Sequence, residues 1–315
     1  MADLSGVACD ISIVIPAFNE QESIPELLAR IHEVLTEMGR TYEVLVIDDG
    51  SSDGTFDKVV ELAAGRPEIH GISFSRNYGK AAALAAGFTA AGGRLVITMD
   101  ADLQDDPVEI PRLVAKIEDE GYDLVSGWKQ NRQDSFIKNQ TSKLFNGVTS
   151  LMSGLRLHDF NCGLKAYRSE VIKTLRLYGE MHRYTPALAH LEGFRVGELK
   201  VRHHARRFGV TKYGPARFLN GFLDLLTVLF LNSRSTSPLH FFGRIGLFFL
   251  LAGSIIDGYF LVQWIAGHGL HIRPLLLLGV TLILLAVQFV SLGLMAELIV
   301  AGRHPEMEYR VRRRI

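Results

Sequence analysis

Two carboxylates separated by one residue, Asp100 and Asp102, stand directly after the apolar run Leu95 to Met99. In an extended chain, side chains two apart project to the same side, so these charges repel unless a cation lies between them. A hard divalent ion suits that place. Mg²⁺ or Mn²⁺ is usually held by one or two protein carboxylates and completes its shell with water and substrate phosphate. Such pairs also cap helices, so spacing alone leaves metal binding and capping both open. A second acidic segment, Asp48-Asp49-Gly50-Ser51-Ser52-Asp53-Gly54, follows another apolar run. Its carboxylates can accept hydrogen bonds from a base or ribose, or cap a helix near Asp53. Ser75-Arg76-Asn77-Tyr78-Gly79-Lys80 supplies cations. It is not a Gly-x4-Gly-Lys-Ser/Thr phosphate loop, because Phe74 stands at the first glycine position and Ala81 follows Lys80.

These segments need a scaffold that brings them to one edge. Apolar runs of strand length (Ile11 to Ile15, Tyr42 to Ile47, Ile69 to Phe74, Leu95 to Met99, Leu124 to Ser126) alternate with helical patterns at 22–38, 55–64, 79–91 and 107–118. That alternation predicts an α/β domain with a parallel, doubly wound sheet. Ligands of such sheets bind beyond the carboxyl ends of the strands, where the acidic loops and Pro16-Ala17-Phe18-Asn19-Glu20 all fall.

The chain has 315 residues, 48% of them apolar, and its 34 Lys plus Arg balance 34 Asp plus Glu. Bulk charge gives no reason to expect nucleic acid as a partner. The two cysteines, Cys9 and Cys162, exclude a disulfide framework and a Cys-based zinc site, and suit a reducing compartment. Cys162 reads as inert, and His203 and His204 as surface or packing residues, since neighbours on a strand face opposite ways.

From Phe241 onward the sequence becomes two long hydrophobic runs, about 241–265 and 275–299, each near the roughly 20 residues that span a hydrocarbon core. The eight-residue link 266–273 makes them a hairpin, and Arg residues crowd its flanks against Arg273 alone in the link. Both termini are therefore expected in the cytoplasm, and Ile11 to Ile15 is too short for a signal-peptide core. Asp257, inside the first run, is expected to face a neighbouring helix, the interface or a partner subunit. The stretch 215–233 reads as an amphipathic helix lying in the interface. The expected divisions are a cytoplasmic domain at 1–214, this helix, a hairpin at 234–302 and a basic tail at 303–315.

Taken together, Pro16 to Glu20, Asp48 to Asp53, Arg76 to Lys80, Asp100 to Gln104 and Arg206-Arg207-Phe208-Gly209-Val210-Thr211-Lys212-Tyr213 resemble the family 2 glycosyltransferases of the GT-A fold. Within that family they are similar to the bacterial polyprenyl-phosphate glycosyltransferases related to dolichol-phosphate mannose synthase. The likeness covers nearly the whole chain and includes the terminal hairpin.

The resemblance implies that Pro16, Ala17, Glu20, Asp48, Asp49, Arg76 and Lys80 belong to the nucleotide-sugar site. Asp100, Asp102 and Gln104 would hold Mg²⁺ or Mn²⁺ and the sugar diphosphate, and Arg206, Arg207 and Lys212 would close over it. Thr211 stands where relatives often have Ser, keeping the hydroxyl. Lys129, Arg132, Lys138 and Ser142 would form the acceptor-phosphate site, with Lys129 and Lys138 replacing the Arg of some relatives and losing its bidentate fork. Asp102 and Asp159 would be the catalytic carboxylates, with a structural turn role for Asp159 equally open.

The implied activity is inverting transfer of one sugar from a nucleotide donor to a polyprenyl phosphate at the cytoplasmic leaflet of the inner (plasma) membrane. It would supply lipid-linked sugar for cell-envelope glycosylation. UDP-glucose is the first expected donor and GDP-mannose the second, and a homo-oligomer is left open. The alternatives are a catalytically inactive membrane scaffold or sugar-lipid-binding subunit of the same fold, and a polysaccharide synthase. The last would carry Gln-x-x-Arg-Trp and more spans, which this sequence does not.

Overall fold

The computed structural model describes residues 9–129, 146–147, 149–150, 153–175, 177, 181–204, 238–267, 274–302 and 311–314. They belong to two compact units, one comprising Met1–Val228 with Glu308–Ile315 and the other Leu229–Met307. The expected interfacial helix at 215–233 lies outside the described residues.

The first unit is built on strands β1 (Ile11–Ala17), β2 (Tyr42–Asp48), β3 (Ile69–Phe74), β4 (Leu95–Thr98), β5 (Leu124–Lys129), β6 (Lys165–Arg168), β7 (Val196–Val201) and β8 (Val311–Arg314). They form one sheet in the order β7-β5-β6-β4-β1-β2-β3-β8. The β1–β2, β1–β4 and β2–β3 pairs are parallel, as expected for the alternating pattern, and β5 also pairs parallel with β7, a strand not expected from the sequence. β6 runs antiparallel between β4 and β5, which makes the sheet mixed. β8 pairs antiparallel with β3, so residues 311–314 of the expected basic tail form an edge strand.

Helices α1 (Ile24–Glu37), α2 (Thr55–Ala63), α3 (Lys80–Ala90) and α4 (Ile110–Glu120) follow β1 to β4. Alternate residues of each strand feed two cores. Ile13, Ile15 and Ile97 pack with Leu27 and Ile31 of α1 and Leu113 and Ile117 of α4 on one face. Val14, Ile47 and Val96 pack with Leu84 and Phe88 of α3 on the other. Covering both faces explains why the strands read as unbroken apolar runs. Pro107 opens a short 3-10 turn, with Asp106 as its cap, before α4 begins. Gly121 ends α4 at φ 70°, where a residue without Cβ is unstrained. Two shorter helices, α5 (Ser169–Thr174) and α6 (Thr185–Leu191), are also among the described residues of this unit.

The second unit contains α7 (Pro238–Ile265) and α8 (Pro274–Gly302). Gly246 meets Ala286, Gly253 meets Gly279, and Gly293 meets Leu239, so the helices run antiparallel and approach at small residues. Their apolar spans, Phe241–Ile265 and Pro274–Ala296, have mean hydropathies of 2.0 and 2.6, and each is long enough to cross a bilayer. Large side chains such as Phe248, Ile255, Leu284 and Met295 stand exposed along both. Asp257 turns its carboxylate onto Gly279 of the facing helix, one of the environments expected for it.

Candidate active site

The loops after β1 and β2 are tied together. Asn19, in the left-handed region at φ 52°, donates its N–H to Ser51 Oγ at 2.8 Å and accepts from the Ser52 N–H through Oδ1 at 2.8 Å. Glu20 donates its N–H to Thr55 Oγ1 at 2.9 Å, while its carboxylate accepts from the Ser23 hydroxyl at 2.9 Å. This sets Pro16, Ala17 and Glu20 beside the acidic loop of β2.

Asp48 and Asp49 are both buried. Asp48 accepts from the Ser51 N–H at 3.1 Å and the Ser73 hydroxyl at 2.8 Å. Asp49 accepts from the N–H groups of Tyr78 and Gly79 at 2.7 and 2.9 Å. Burial pushes the Asp49 carboxyl up to about 6 despite those two donors, and neighbouring Asp48 adds to the rise. Asp49 thus fastens the loop after β3, where the Arg76 guanidinium lies 4.8 Å from the Tyr78 ring centroid, while Asp48 ties its own loop to Ser73 of β3.

The β4 loop is organised differently. Asp100 is ion-paired with Lys80 at the start of α3. Burial opposes its ionisation, but the ammonium groups of Lys80 and Lys129 outweigh that and hold it at about 2. Gly163 lies so close that an added Cβ would stand 2.6 Å from the Asp100 carboxylate. Leu103, left-handed at φ 59°, makes the tight turn in which Asp102 Oδ1 accepts from the Gln104 N–H at 3.2 Å. Among the described residues no group of three acidic, His or Cys side chains is placed to hold a metal ion. Two carboxylates and an amide oxygen on one short loop fit an ion shared with water and substrate phosphate.

Asp105 and Asp106 hold the far side of the loop. The Lys129 ammonium lies 2.8 Å from Asp105, which is wholly buried, and the His203 ring lies 4.0 Å from it. Burial disfavours the Lys129 charge, yet Asp105 and Asp100 raise its pKa above the ordinary lysine value. Lys129, expected at the acceptor phosphate, therefore has a counter-ion within the protein. Asp106 accepts from Arg30 at 3.0 Å and His204 at 2.9 Å, and these partners pull it below the usual carboxylate range against burial. The two histidines, expected as surface or packing residues, thus each face one of these buried acids. Arg132, Lys138 and Ser142, like Arg206, Arg207 and Lys212, lie outside the described residues.

Asp159 is buried, and its Oδ1 accepts from the Asn161 N–H at 3.0 Å, closing a turn. The Cys162 thiol is pushed up to about 12 by burial, so it is no nucleophile.

A cleft brings together Pro16, Lys80 and Asp100 with residues no motif flagged: Lys165 and Tyr167 of β6, Thr98, and His182. Burial lowers the Lys165 ammonium to about 8, and burial with Lys80, Arg183 and Lys165 lowers the His182 ring well below its usual value. The one signal in the sequence is a lysine set among apolar neighbours in Leu164-Lys165-Ala166-Tyr167.

A sheet with parallel strands at its centre and an Asp-x-Asp loop at their carboxyl ends defines a GT-A-type glycosyltransferase domain. The chain belongs to Glycosyl transferase family 2, whose profile matches residues 12–176. It is 38% identical over 296 residues to the dodecaprenyl-phosphate galacturonate synthase of Rhizobium johnstonii, covering 92% of this chain and 87% of that protein. Two solved structures share the fold. The glucosyl-3-phosphoglycerate synthase of Mycobacterium tuberculosis with Mn²⁺ and UDP-glucose matches 72% of this chain and 80% of its own, at TM-score 0.53 and 20% identity. A Pyrobaculum calidifontis mannosyltransferase with GDP-mannose and Mn²⁺ matches 96% of this chain and 78% of its own, at TM-score 0.53 and 19% identity. The protein is thus a glycosyltransferase, and its two apolar helices suggest membrane association.

Proposed function

We propose that the protein transfers one sugar from a nucleotide donor to a polyprenyl phosphate at the cytoplasmic face of a membrane, with UDP-galacturonate as the first donor to test. UDP-glucose, the donor expected from sequence, becomes the second, and GDP-mannose the third. The observation that carries the reading is the 38% identity to a dodecaprenyl-phosphate galacturonate synthase across 92% of the chain. The Asp100–Asp102 loop at the strand ends supports it, as does the apolar helix pair, which would hold the domain beside a lipid acceptor.

In this reading Asp100, Asp102 and Gln104 hold Mg²⁺ or Mn²⁺. The ion supplies charge neutralisation for the nucleoside diphosphate as it departs. Lys80 keeps Asp100 ionised, so the carboxylate stays a ligand at neutral pH. Pro16, Ala17, Glu20 and the interlocked β1 and β2 loops seat the nucleoside, with Asp48 tying the β2 loop to β3 and Asp49 fixing the loop that carries Arg76. Arg206, Arg207 and Lys212 complete the cover over the diphosphate. Arg132, Lys138 and Ser142 receive the acceptor, whose phosphate monoester has a second pKa near 6 and is already largely dianionic. Attack at the anomeric carbon needs no strong base, and positioning suffices. Direct displacement inverts that carbon. Asp159 serves to place Asn161 at the cleft wall.

The test is a donor panel. Purified protein in detergent is supplied with polyprenyl phosphate and each radiolabelled nucleotide sugar, and organic-phase label is counted. Transfer from at least one donor, abolished by EDTA and restored by Mn²⁺ or Mg²⁺, is expected. No labelled lipid from any donor overturns the reading.

A further inference from the structure

Lys165 opens β6 in the interior of the sheet, opposite Thr98 of β4 on one side and Ser126 of β5 on the other. It is 3% exposed. Its ammonium donates to the His182 carbonyl at 3.4 Å, a long contact, and forms no ion pair with a carboxylate among the described residues. Lys129 at the end of β5, by contrast, has Asp105 as its counter-ion. A buried ammonium without a counter-ion disfavours the fold relative to an apolar side chain of similar length.

The cleft that Lys165 lines also holds Lys80, Asp100 and His182. Among the described residues that line it, two carry ammonium groups and one a carboxylate, and that carboxylate is engaged by Lys80. Counted over these residues, the lining is short of one negative charge. Thr98 and Tyr167 also line it, their hydroxyls hydrogen-bonded to the Gly163 carbonyl and to Thr185, and Leu84 closes the side with an apolar surface. A diphosphate carries more charge than this deficit, and in the proposed function it is met by the divalent ion and the basic segment at 206–212. A singly charged planar anion matches the deficit.

We infer that Lys165 is a specificity-determining residue that binds the carboxylate of a hexuronic acid donor, with Lys80 and His182 beside it. The inference rests on the proposed glycosyl transfer and adds the chemical class of sugar that the site selects. UDP-galacturonate and UDP-galactose differ only in a carboxylate against a hydroxymethyl group at one carbon, so the pair isolates the charge.

The experiment uses the full-length protein and has two readouts. Calorimetry measures binding of the two nucleotide sugars in Mn²⁺ without acceptor, and turnover with polyprenyl phosphate gives kcat/KM for each. The wild type should favour the galacturonate donor by about 10- to 100-fold, the range of one charged hydrogen bond. In Lys165→Met that preference should collapse toward one, with a thermal midpoint in the absence of donor no lower than that of the wild type. An equal loss on both donors would assign Lys165 to the diphosphate or the fold and overturn the inference. So would a wild type that binds both donors equally, a result that needs no variant to fold. Binding preference without transfer to polyprenyl phosphate would refute the acceptor assignment while leaving Lys165 as the carboxylate reader. Transfer of neutral sugars with uronate rejected would refute Lys165 alone.

Discussion

The two acidic strand ends are near twins in sequence and opposites in environment. Asp49 after β2 is met by two backbone N–H groups, and burial lifts its carboxyl to about 6. Asp100 after β4 is met by the Lys80 ammonium with Lys129 nearby, and its carboxyl falls to about 2. The first acid clamps a neighbouring loop, whereas the second stays ionised on a loop whose other carboxylate, Asp102, lies two residues on. Residue type and position at a strand end assign neither role. The nearest donors do.

The sharpest way to break this contrast is Asp102→Ala, expected to lower kcat by about 10³-fold or more while leaving the thermal midpoint nearly unchanged. Survival of transfer at a tenth of the wild-type rate would remove the β4 loop from the reaction centre. The glycines beside the two acids give a matched pair. Gly50 is left-handed at φ 70°, and an added Cβ would collide with the Arg76 backbone. Gly50→Ala should therefore cost about 3 kcal/mol or more of stability, read by urea unfolding. Gly163→Ala presses instead on the Asp100 carboxylate, a side-chain end that can shift, so its expected signature is about a 10²-fold loss of kcat with a smaller fall in stability. A reversed pattern, activity lost at Gly50 and stability at Gly163, would undo the division of roles.

The smallest effect is a pH signature. The Asp49 carboxyl titrates near 6 when folded against 3.8 ordinarily, so between those values the native state holds a proton the unfolded chain has released. The stability this gives is present below about pH 4 and is lost as pH rises through 6. Asp49→Asn removes the titration. The wild type should therefore lose about 2 kcal/mol relative to the variant between pH 4 and 7. A wild-type-minus-variant difference that is flat across that interval would place the Asp49 carboxyl in an ordinary environment.

Much of this architecture could be read from sequence because β1 to β5 are apolar runs buried on both faces, the first four each followed by an amphipathic or small-residue helix. The strand-end rule then located Pro16, Asp48, Asp49, Asp100 and Asp102. β6 escaped because a four-residue strand beginning with Lys165 and ending with Arg168 has no apolar run to announce it. β8 escaped because Val311-Arg312-Arg313-Arg314 reads as a basic tail until β3 is seen to offer it an edge. Within the site, side-chain identities were legible and pairings were not. Lys129 to Asp105, His204 to Asp106 and Lys80 to Asp100 join residues 20 or more apart, brought together only by the sheet order. His182 and Lys165 come from segments without a motif, so the cleft they share with Asp100 appears only in three dimensions.

The most direct test of the central claim is transfer itself. Wild-type protein and Asp102→Ala, matched in thermal midpoint, are incubated with Mn²⁺, polyprenyl phosphate and radiolabelled UDP-galacturonate, and label entering the lipid phase is measured. The account predicts labelled sugar-phosphate lipid from the wild type and at least about 10³-fold less from the variant. Equal labelling by the two proteins, or none from the wild type with this donor or any other, would contradict it.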